Sequence, residues 1–325
     1  MSGRTALVSG IGATGARAAR QLAGCPEFDA VVLAGPGERP AALQRSIGAV
    51  ASLGVVTDDS DAVVLAGPVG SHVDDARRAV RAGRHVISTS DAISDVEGLL
   101  SLDADARERG VSVVVGAGFS PGLTCVLARH VAGWMDEVDE IHVARFGTGG
   151  PACARQHHAA LSGRAADWRD GDWVRRPGGS GRELCVFPDP IGSVDCYRAA
   201  LADSILLQRG FPAAERITAR QAANRRQRLT AWLPMLRRPH PEGRIGAVRV
   251  EVRGRRAGTT VIEVAGAIDR PAVAAGAVAG LAARRAVAGA FPVGAHGLAS
   301  VVDSTSFLAD LADLGVRAAV FVGST

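Results

Sequence analysis

The feature that most limits what this chain can fold into is its opening, Thr5-Ala-Leu-Val-Ser-Gly10-Ile-Gly12-Ala-Thr-Gly15. A short apolar run ends in G-x-G-x-x-G, and Ala16-Arg-Ala-Ala-Arg-Gln-Leu-Ala23 continues as a good helix former. In a strand–turn–helix each glycine has its own role. Gly10 permits the tight turn, Gly12 lets the backbone approach a pyrophosphate, and Gly15 lets the helix pack close to the strand. The helix N-terminus then presents unpaired N–H groups to phosphates. Glycine is abundant, at 40 of 325 residues, so the motif counts only because a strand and a helix flank it. The spacing predicts a dinucleotide-binding turn.

The residues that follow keep the same alternation. Phe28–Ala34 reads as a second strand, and its tip is Ala34-Gly35-Pro36-Gly37-Glu38-Arg39. An NAD-selective site places Asp or Glu about twenty residues beyond the motif, on the ribose hydroxyls. Here that acid is missing and Arg39 stands close behind, suited to a 2′-phosphate through paired charge-assisted hydrogen bonds. NADP is therefore the expected cofactor. NAD remains open, because a shifted turn lets Glu38 take the ribose diol, and Arg39 can also be read as a solvated loop residue. Asp61–Gly67 holds a continuous apolar run from Ala62, as a buried parallel strand does, and Gly67-Pro68 end it where the cofactor's ribose and nicotinamide would pass. Ser71 is expected to cap a helix through Ala82. His85–Asp91 is the next strand, Ser94-Asp-Val-Glu97 reads as a capping box opening a helix to Gly110, and Val111–Val115 is another strand. Such alternation predicts an α/β chain with an N-terminal Rossmann domain, a doubly wound parallel sheet with ligands at the carboxyl ends of its strands.

From Thr124 the pattern changes. Asp139–Arg145 alternates, Gly147–Gly181 reads as a polar connection, and Ile245–Arg253 with Thr259–Ala265 reads as a hairpin across Gly254–Gly258. These strands predict a second α+β domain on a mostly antiparallel sheet. The expected bounds are 1–123 for the dinucleotide domain and 124–290 for a substrate and dimerisation domain. Residues 291–325 form a segment returning toward the first. The alternating strands need cover on both faces, so a homodimer is expected.

Composition excludes several classes. Every basic residue other than histidine is arginine, since the sequence holds no lysine. Schiff-base and lysine acid–base catalysis are thereby ruled out. Aromatics are 4% and no basic run is interleaved with them, which gives nucleic-acid binding no support. No apolar run is long enough for a membrane span, and the sequence starts directly on a strand, so a cytoplasmic protein is expected. Five cysteines form no C-x-x-C pair. Cys153 with His157 and His158 does not make a convincing ligand set, so no metal is expected.

At Val113-Val-Val-Gly116-Ala-Gly-Phe-Ser120-Pro121-Gly122, preceded by His85-Val-Ile-Ser-Thr-Ser-Asp91, the chain resembles the saccharopine-dehydrogenase-like oxidoreductases. The shared pieces are the opening G-x-G-x-x-G, the S-T-S-D strand end, the crossover through Pro121-Gly122, and Gly294-Ala-His296-Gly297 before the last helix. Clear resemblance covers residues 4–125 and is architectural beyond. It implies hydride transfer at a carbon bearing an amino or imino group, on an amino-acid-like substrate with carboxylates. By the same resemblance Gly10, Gly12, Ala13, Thr14 and Gly15 form the phosphate turn. Gly67 and Pro68 lie by the nicotinamide ribose, Ser88 and Thr89 line the nicotinamide, and Ser120 and Gly122 of the crossover meet the substrate. Related sugar dehydrogenases carry E-K-P where this chain has Thr89-Ser90-Asp91, so their lysine chemistry is not carried over.

The proton must then move through another group. Asp91 at a parallel-strand end, Tyr197 (the only tyrosine) and His157 are the candidates. Tyr197 serves equally as packing, and His157 equally as a surface histidine. Arg145 at a strand end and Arg226 within Arg225-Arg226-Gln-Arg228 can anchor a carboxylate, although the latter run also reads as a solvated helix face. The sequence therefore predicts an NAD(P)-dependent oxidoreductase acting on a small imine, amino-acid-like or carbonyl substrate. Two alternatives stay open: an aldehyde or alcohol dehydrogenase (for a sugar or semialdehyde), and a dinucleotide-binding sensor or scaffold without turnover.

Overall fold

The computed structural model describes residues 3–235 and 238–321. The chain begins β1 (Thr5–Ser9), α1 (Ala13–Ala23), β2 (Ala30–Ala34), α2 (Arg39–Ile47), β3 (Ala51–Gly54) and β4 (Ala62–Leu65). It continues α3 (His72–Arg81), β5 (His85–Ser88), α4 (Ile93–Leu100), α5 (Asp103–Glu108) and β6 (Ser112–Val115). Then come α6 (Leu123–Ala132), β7 (Glu137–Phe146), α7 (Pro151–Ala160), β8 (Arg164–Arg169) and β9 (Asp172–Pro177). After these follow β10 (Glu183–Phe187), β11 (Gly192–Arg198), α8 (Asp203–Gly210), β12 (Arg216–Ala222) and α9 (Arg225–Leu229). The long pair β13 (Gly246–Arg256) and β14 (Thr259–Asp269) leads into α10 (Pro271–Val287) and β15 (Gly294–Gly297). The last elements are α11 (Leu298–Val301), α12 (Ser304–Asp313) and β16 (Ala318–Phe321).

Two compact units result. The first takes in the chain to Gly118 together with Ala272–Gly297. Its seven strands run in the order β15-β6-β5-β4-β1-β2-β3, and every pairing is parallel. The order 3-2-1-4-5-6 within it is that of a doubly wound dinucleotide fold, whose ligand crevice opens where the order reverses, between β1 and β4. Strands β4 and β6 are buried at every position, which is what a sheet covered on both faces demands. The unit's bounds differ from the expected 1–123. Helix α10, assigned by sequence to the second domain, closes on α1: Gln21 Nε2 donates to Ala277 O at 3.2 Å. Gly276 makes this approach possible, since a Cβ there would stand 2.6 Å from Thr14 O. Strands β3 and β15 and helix α2 were not expected either, being four to nine residues of mixed pattern.

The second unit comprises Phe119–Pro271 and the chain from Leu298. Its sheet runs β10-β11-β12-β7-β13-β14-β16, with β8 and β9 paired to the side of β12. All pairings are antiparallel except β12 with β7. One face of β7 and β13 (Ile141, Val143, Val248, Val250 and Val252) is fully buried, with α6 packed on the sheet. The opposite face carries Glu140, Arg249, Glu251 and Arg253, linked as ion pairs, and His142, hydrogen-bonded to Glu140. The expected loop Gly254–Gly258 is shorter than the sequence suggested. Strand β13 runs through Arg256, and Ala257-Gly258 alone make the turn, both with positive φ (50° and 77°). That is the type I′ geometry two-residue hairpins favour. The polar connection Gly147–Gly181 is likewise ordered, as α7 and the β8–β9 hairpin. Its arginines are exposed, Asp167 is buried against Arg198 and Arg220, and Ala154, Ala160, Ala165 and Ala166 face inward.

Candidate functional site

In the first unit the turn Gly10–Gly15 meets the demands read from its sequence. Gly10 has φ +93°, its N–H donates to Ala34 O at 2.8 Å, and a Cβ there would lie 2.4 Å from Gly67 N. The ends of β1 and β4 therefore touch backbone to backbone at the switch point. A Cβ on Gly15 would lie 2.1 Å from Gly10 O, so α1 can start this close to the strand only with glycine there. Gly12 is different: a Cβ on it would meet nothing within 4 Å. Gly12 is the N-cap of α1, no side chain caps the helix, and its first turn holds no acid. An uncapped helix end with open space before it and no competing carboxylate suits an anion. The residues fit a dinucleotide pyrophosphate.

Across the crevice, Gly67, Pro68, Ser88 and Thr89 lie at the ends of β4 and β5, and a residue the sequence reading missed joins them. His72, only 1% exposed at the start of α3, bridges Gly67 O through Nε2 (3.1 Å) and Ser88 Oγ through Nδ1 (2.9 Å). The carbonyl can only accept, so Nε2 carries the proton and, in the neutral ring, Nδ1 accepts from the Ser88 hydroxyl. Ser88 Oγ in turn accepts the Ser90 N–H at 3.2 Å, and Thr89 Oγ1 donates to Leu65 O. These side chains are thus occupied in fixing the strand ends. Ser71 is the N-cap of α3, as read, but its hydroxyl donates to Pro68 O rather than capping the helix and shapes the same turn. The expected capping box at Ser94–Glu97 does not form. Ala92 is the N-cap of α4, and the buried Asp95 accepts from Ser90 Oγ and Gly70 N. Arg39 is exposed at the first position of α2, with Glu38 as its N-cap. Asp91 is half-buried beyond the end of β5.

The second unit holds the other predicted residues around a buried polar chain. Asp203, fully buried at the start of α8, accepts from Ser120 Oγ (2.9 Å) and Thr124 Oγ1 (2.7 Å). Arg145, 2% exposed, donates through Nη1 to Ser120 O and through Nη2 to Gln221 Oε1 (2.8 Å). Gln221 Nε2 donates on to His157 O at 2.8 Å. His157 Nε2 shares a hydrogen bond with Cys153 Sγ at 3.3 Å, and Cys153 Sγ accepts the Gly149 N–H. Arg145, expected to anchor substrate, therefore braces the frame that presents His157. Gly122, with φ +128°, is the N-cap of α6.

His157 and Gln221 form part of the wall of a cavity of about 1370 Å³ within this unit. Arg226 lines it as well. Tyr197 lies instead on β11 in a buried cluster with Leu161 and Leu201, its ring under the Arg228 guanidinium at 4.0 Å. Of the three catalytic candidates, Asp91 belongs to one unit while His157 and Tyr197 belong to the other. All five cysteines are free thiols. Among the described residues no group of three His, Cys, Asp or Glu side chains is placed to hold a metal ion, and no helix is long and apolar enough to cross a membrane.

No family model matches the sequence, and no curated protein is similar to it in sequence. Solved structures are similar in fold. Saccharopine dehydrogenase (L-Glu forming) from Saccharomyces cerevisiae superposes with a TM-score of 0.71 at 15% identity, over 98% of this chain and 100% of that one. A probable dehydrogenase from Thermotoga maritima gives 0.51 at 10% identity, over 97% and 98%. Both likenesses run nearly end to end, so the fold they share covers both units.

Proposed function

We propose that the protein is an NAD(P)-dependent oxidoreductase of the saccharopine-dehydrogenase-like type, acting on a small imine, amino-acid-like or carbonyl substrate. The observation that carries this reading is the contrast among three glycines. Gly10 and Gly15 are locked against backbone, while Gly12 faces open space at an uncapped helix end. The backbone of Gly12, Ala13 and Thr14 would hold the pyrophosphate, Gly67 and Pro68 the nicotinamide-side ribose, and the Ser88–Thr89 strand end the ring. When bound, the dinucleotide supplies the hydride chemistry; the chain supplies orientation and one proton.

With no lysine in the sequence, that proton falls to another group. We assign it to His157, which lines the cavity and has its backbone fixed by Gln221. Tyr197 is packed under Arg228, and Asp91 serves the nicotinamide end. Arg226 anchors the substrate, with Ser120, Gly122 and Arg145 holding the frame around it. Arg39 takes the 2′-phosphate, which makes NADP the cofactor in this reading. Cytoplasmic location and a homodimer, paired through the charged face of the second sheet, belong to the same proposal. Light scattering is expected to return the mass of two chains.

The reading is tested by fluorescence titration with NADPH and NADH on wild type and Arg39→Ala. NADPH is expected to bind at least tenfold tighter, with the preference, about 1.4 kcal/mol or more, removed by the substitution. Binding of neither nucleotide overturns the assignment.

A further inference from the structure

The cavity of the second unit, at about 1370 Å³, is larger than the roughly 300–1,000 Å³ of most small-ligand sites. Its lining is also divided by chemistry. Arg182, Arg226, Arg238 and Arg244 supply cations, and Asp195 is the single acid among the described lining residues. Asp195 pairs with Arg182 at 2.9 Å. Arg226, Arg238 and Arg244 have no acidic partner among the described residues, so the described lining carries a net positive charge. The rest of the wall mixes polar groups, His157, Ser193, Gln221 and Asn224 among them, with an apolar set of Phe146, Leu161, Leu184, Ile191, Val194 and Ile245. Two of these, Leu184 at 64% and Ile245 at 47% exposure, leave large apolar surface open to water.

The wall is built, not loose. The Asn224–Gln227 capping box fixes the turn that carries Arg226, with reciprocal bonds of 2.9 and 2.8 Å. His158 Nε2 donates to Thr230 O and Leu233 O, tying the segment after α9 back to α7. A free amino acid would cover neither the apolar wall nor three unpartnered guanidinium groups.

We propose that this cavity binds an elongated anionic amphiphile, an apolar body carrying a doubly charged head, either a phosphate monoester or paired carboxylates. Planar guanidinium groups match the oxygens of either head with parallel hydrogen bonds, and the exposed apolar residues cover the body. The proposal rests on the oxidoreductase reading in taking the cavity for the substrate site, and revises its substrate from a small molecule to one whose reacting amino, imino or carbonyl carbon is carried on an elongated body; the binding itself is measured independently of turnover.

The test is isothermal titration calorimetry with dodecyl phosphate and with 2-dodecylsuccinate, each below its micelle concentration, and with the uncharged dodecyl maltoside. Wild type, the double variant Arg226→Ala/Arg244→Ala, and the control Arg175→Ala on the exposed β9 are compared. Both anionic probes are expected to bind wild type and the control, and to bind the double variant at least tenfold more weakly. Whichever head binds tighter identifies the head group. Equal binding by wild type and the double variant, or equal affinity for the uncharged maltoside, overturns the proposal. NADPH titration of the same samples keeps the two readings apart: the double variant is expected to bind NADPH as wild type does. Loss of amphiphile binding alone reports on the cavity, whereas absence of NADPH binding in wild type reports on the oxidoreductase assignment.

Discussion

Replacing each glycine of the opening turn by alanine separates fold from function at single-atom resolution. At Gly10 the new Cβ would lie 2.4 Å from Gly67 N on a backbone with φ +93°. Left-handed backbone costs about 1–2 kcal/mol for a residue with a Cβ, and forcing an atom into a packed contact adds about 1–3 kcal/mol. Gly10→Ala should therefore lose about 2–5 kcal/mol of stability. At Gly15 alanine gains up to about 1 kcal/mol of helix propensity, but its Cβ would lie 2.1 Å from Gly10 O, and the clash outweighs the gain. Gly12 has φ −88° and ψ −166°, a region open to alanine, with nothing within 4 Å of the new Cβ. Gly12→Ala should be neutral or stabilising by about 0.4–1 kcal/mol, through the unfolded chain. The same methyl, however, stands in the space assigned to the pyrophosphate. If it costs the bound state the usual overpacking of about 1–3 kcal/mol, NADPH affinity falls about 5- to 150-fold. Urea unfolding gives the first quantity and fluorescence titration the second. A Gly12→Ala protein that is stable and binds NADPH like wild type would refute the phosphate reading. A Gly10→Ala protein as stable as wild type would refute the close approach of β1 and β4.

Two further outcomes follow from buried polar groups. Asp203→Ala strips the acceptor from two buried hydroxyls, Ser120 and Thr124; at about 1–3 kcal/mol for each orphaned donor, urea unfolding should register about 2–6 kcal/mol. Asp203→Asn, which keeps an acceptor oxygen, should lose clearly less, and equal losses for both would contradict this account. His85 has its pKa lowered below 6.5 by burial, against an opposing pull from Asp61, and its Nδ1 accepts the Ser112 N–H at 3.1 Å. Since the folded value lies below the unfolded one, the unfolded chain takes up the proton first. The contribution of His85 is thus complete above pH 6.5 and is lost as pH falls through the folded value. His85→Gln should flatten the decline of stability below pH 6.5, and an unchanged slope would assign the acid sensitivity elsewhere.

How far the site was legible depended on whether its parts are close in sequence. The parallel sheet, the glycine turn and the strand ends at Gly67 and Ser88 were readable because βαβ units are local and glycine spacing is set by backbone sterics. His72 was within reach of the same logic. It lies five residues after Gly67, at a helix start beside a strand end, where a polar ring has only backbone and hydroxyl partners to meet. Helix α10 was assigned to the wrong unit for the opposite reason. Its docking depends on Gly276 and Gly280 meeting Arg17 and Gln21, a match some 260 residues apart that leaves no periodicity in either segment.

The substrate side shows why residue type alone misleads. Arg145 and Arg226 carry the same group, and the sequence offered both as carboxylate anchors. Strand β7 turns Arg145 toward α6, where burial leaves its guanidinium to be satisfied by Ser120 O and Gln221 Oε1. A buried guanidinium with internal acceptors is costly to disturb, so this arginine sets the position of Gln221 and, through it, of His157. Arg226 sits on a capped surface turn facing the cavity, where desolvation is small and the charge stays available for a ligand. The difference comes from partners before α6 and on β12, 25 and 76 residues away along the chain. An arginine's service to the frame or to a ligand is thus settled by tertiary partners, and at those separations only the fold reveals them.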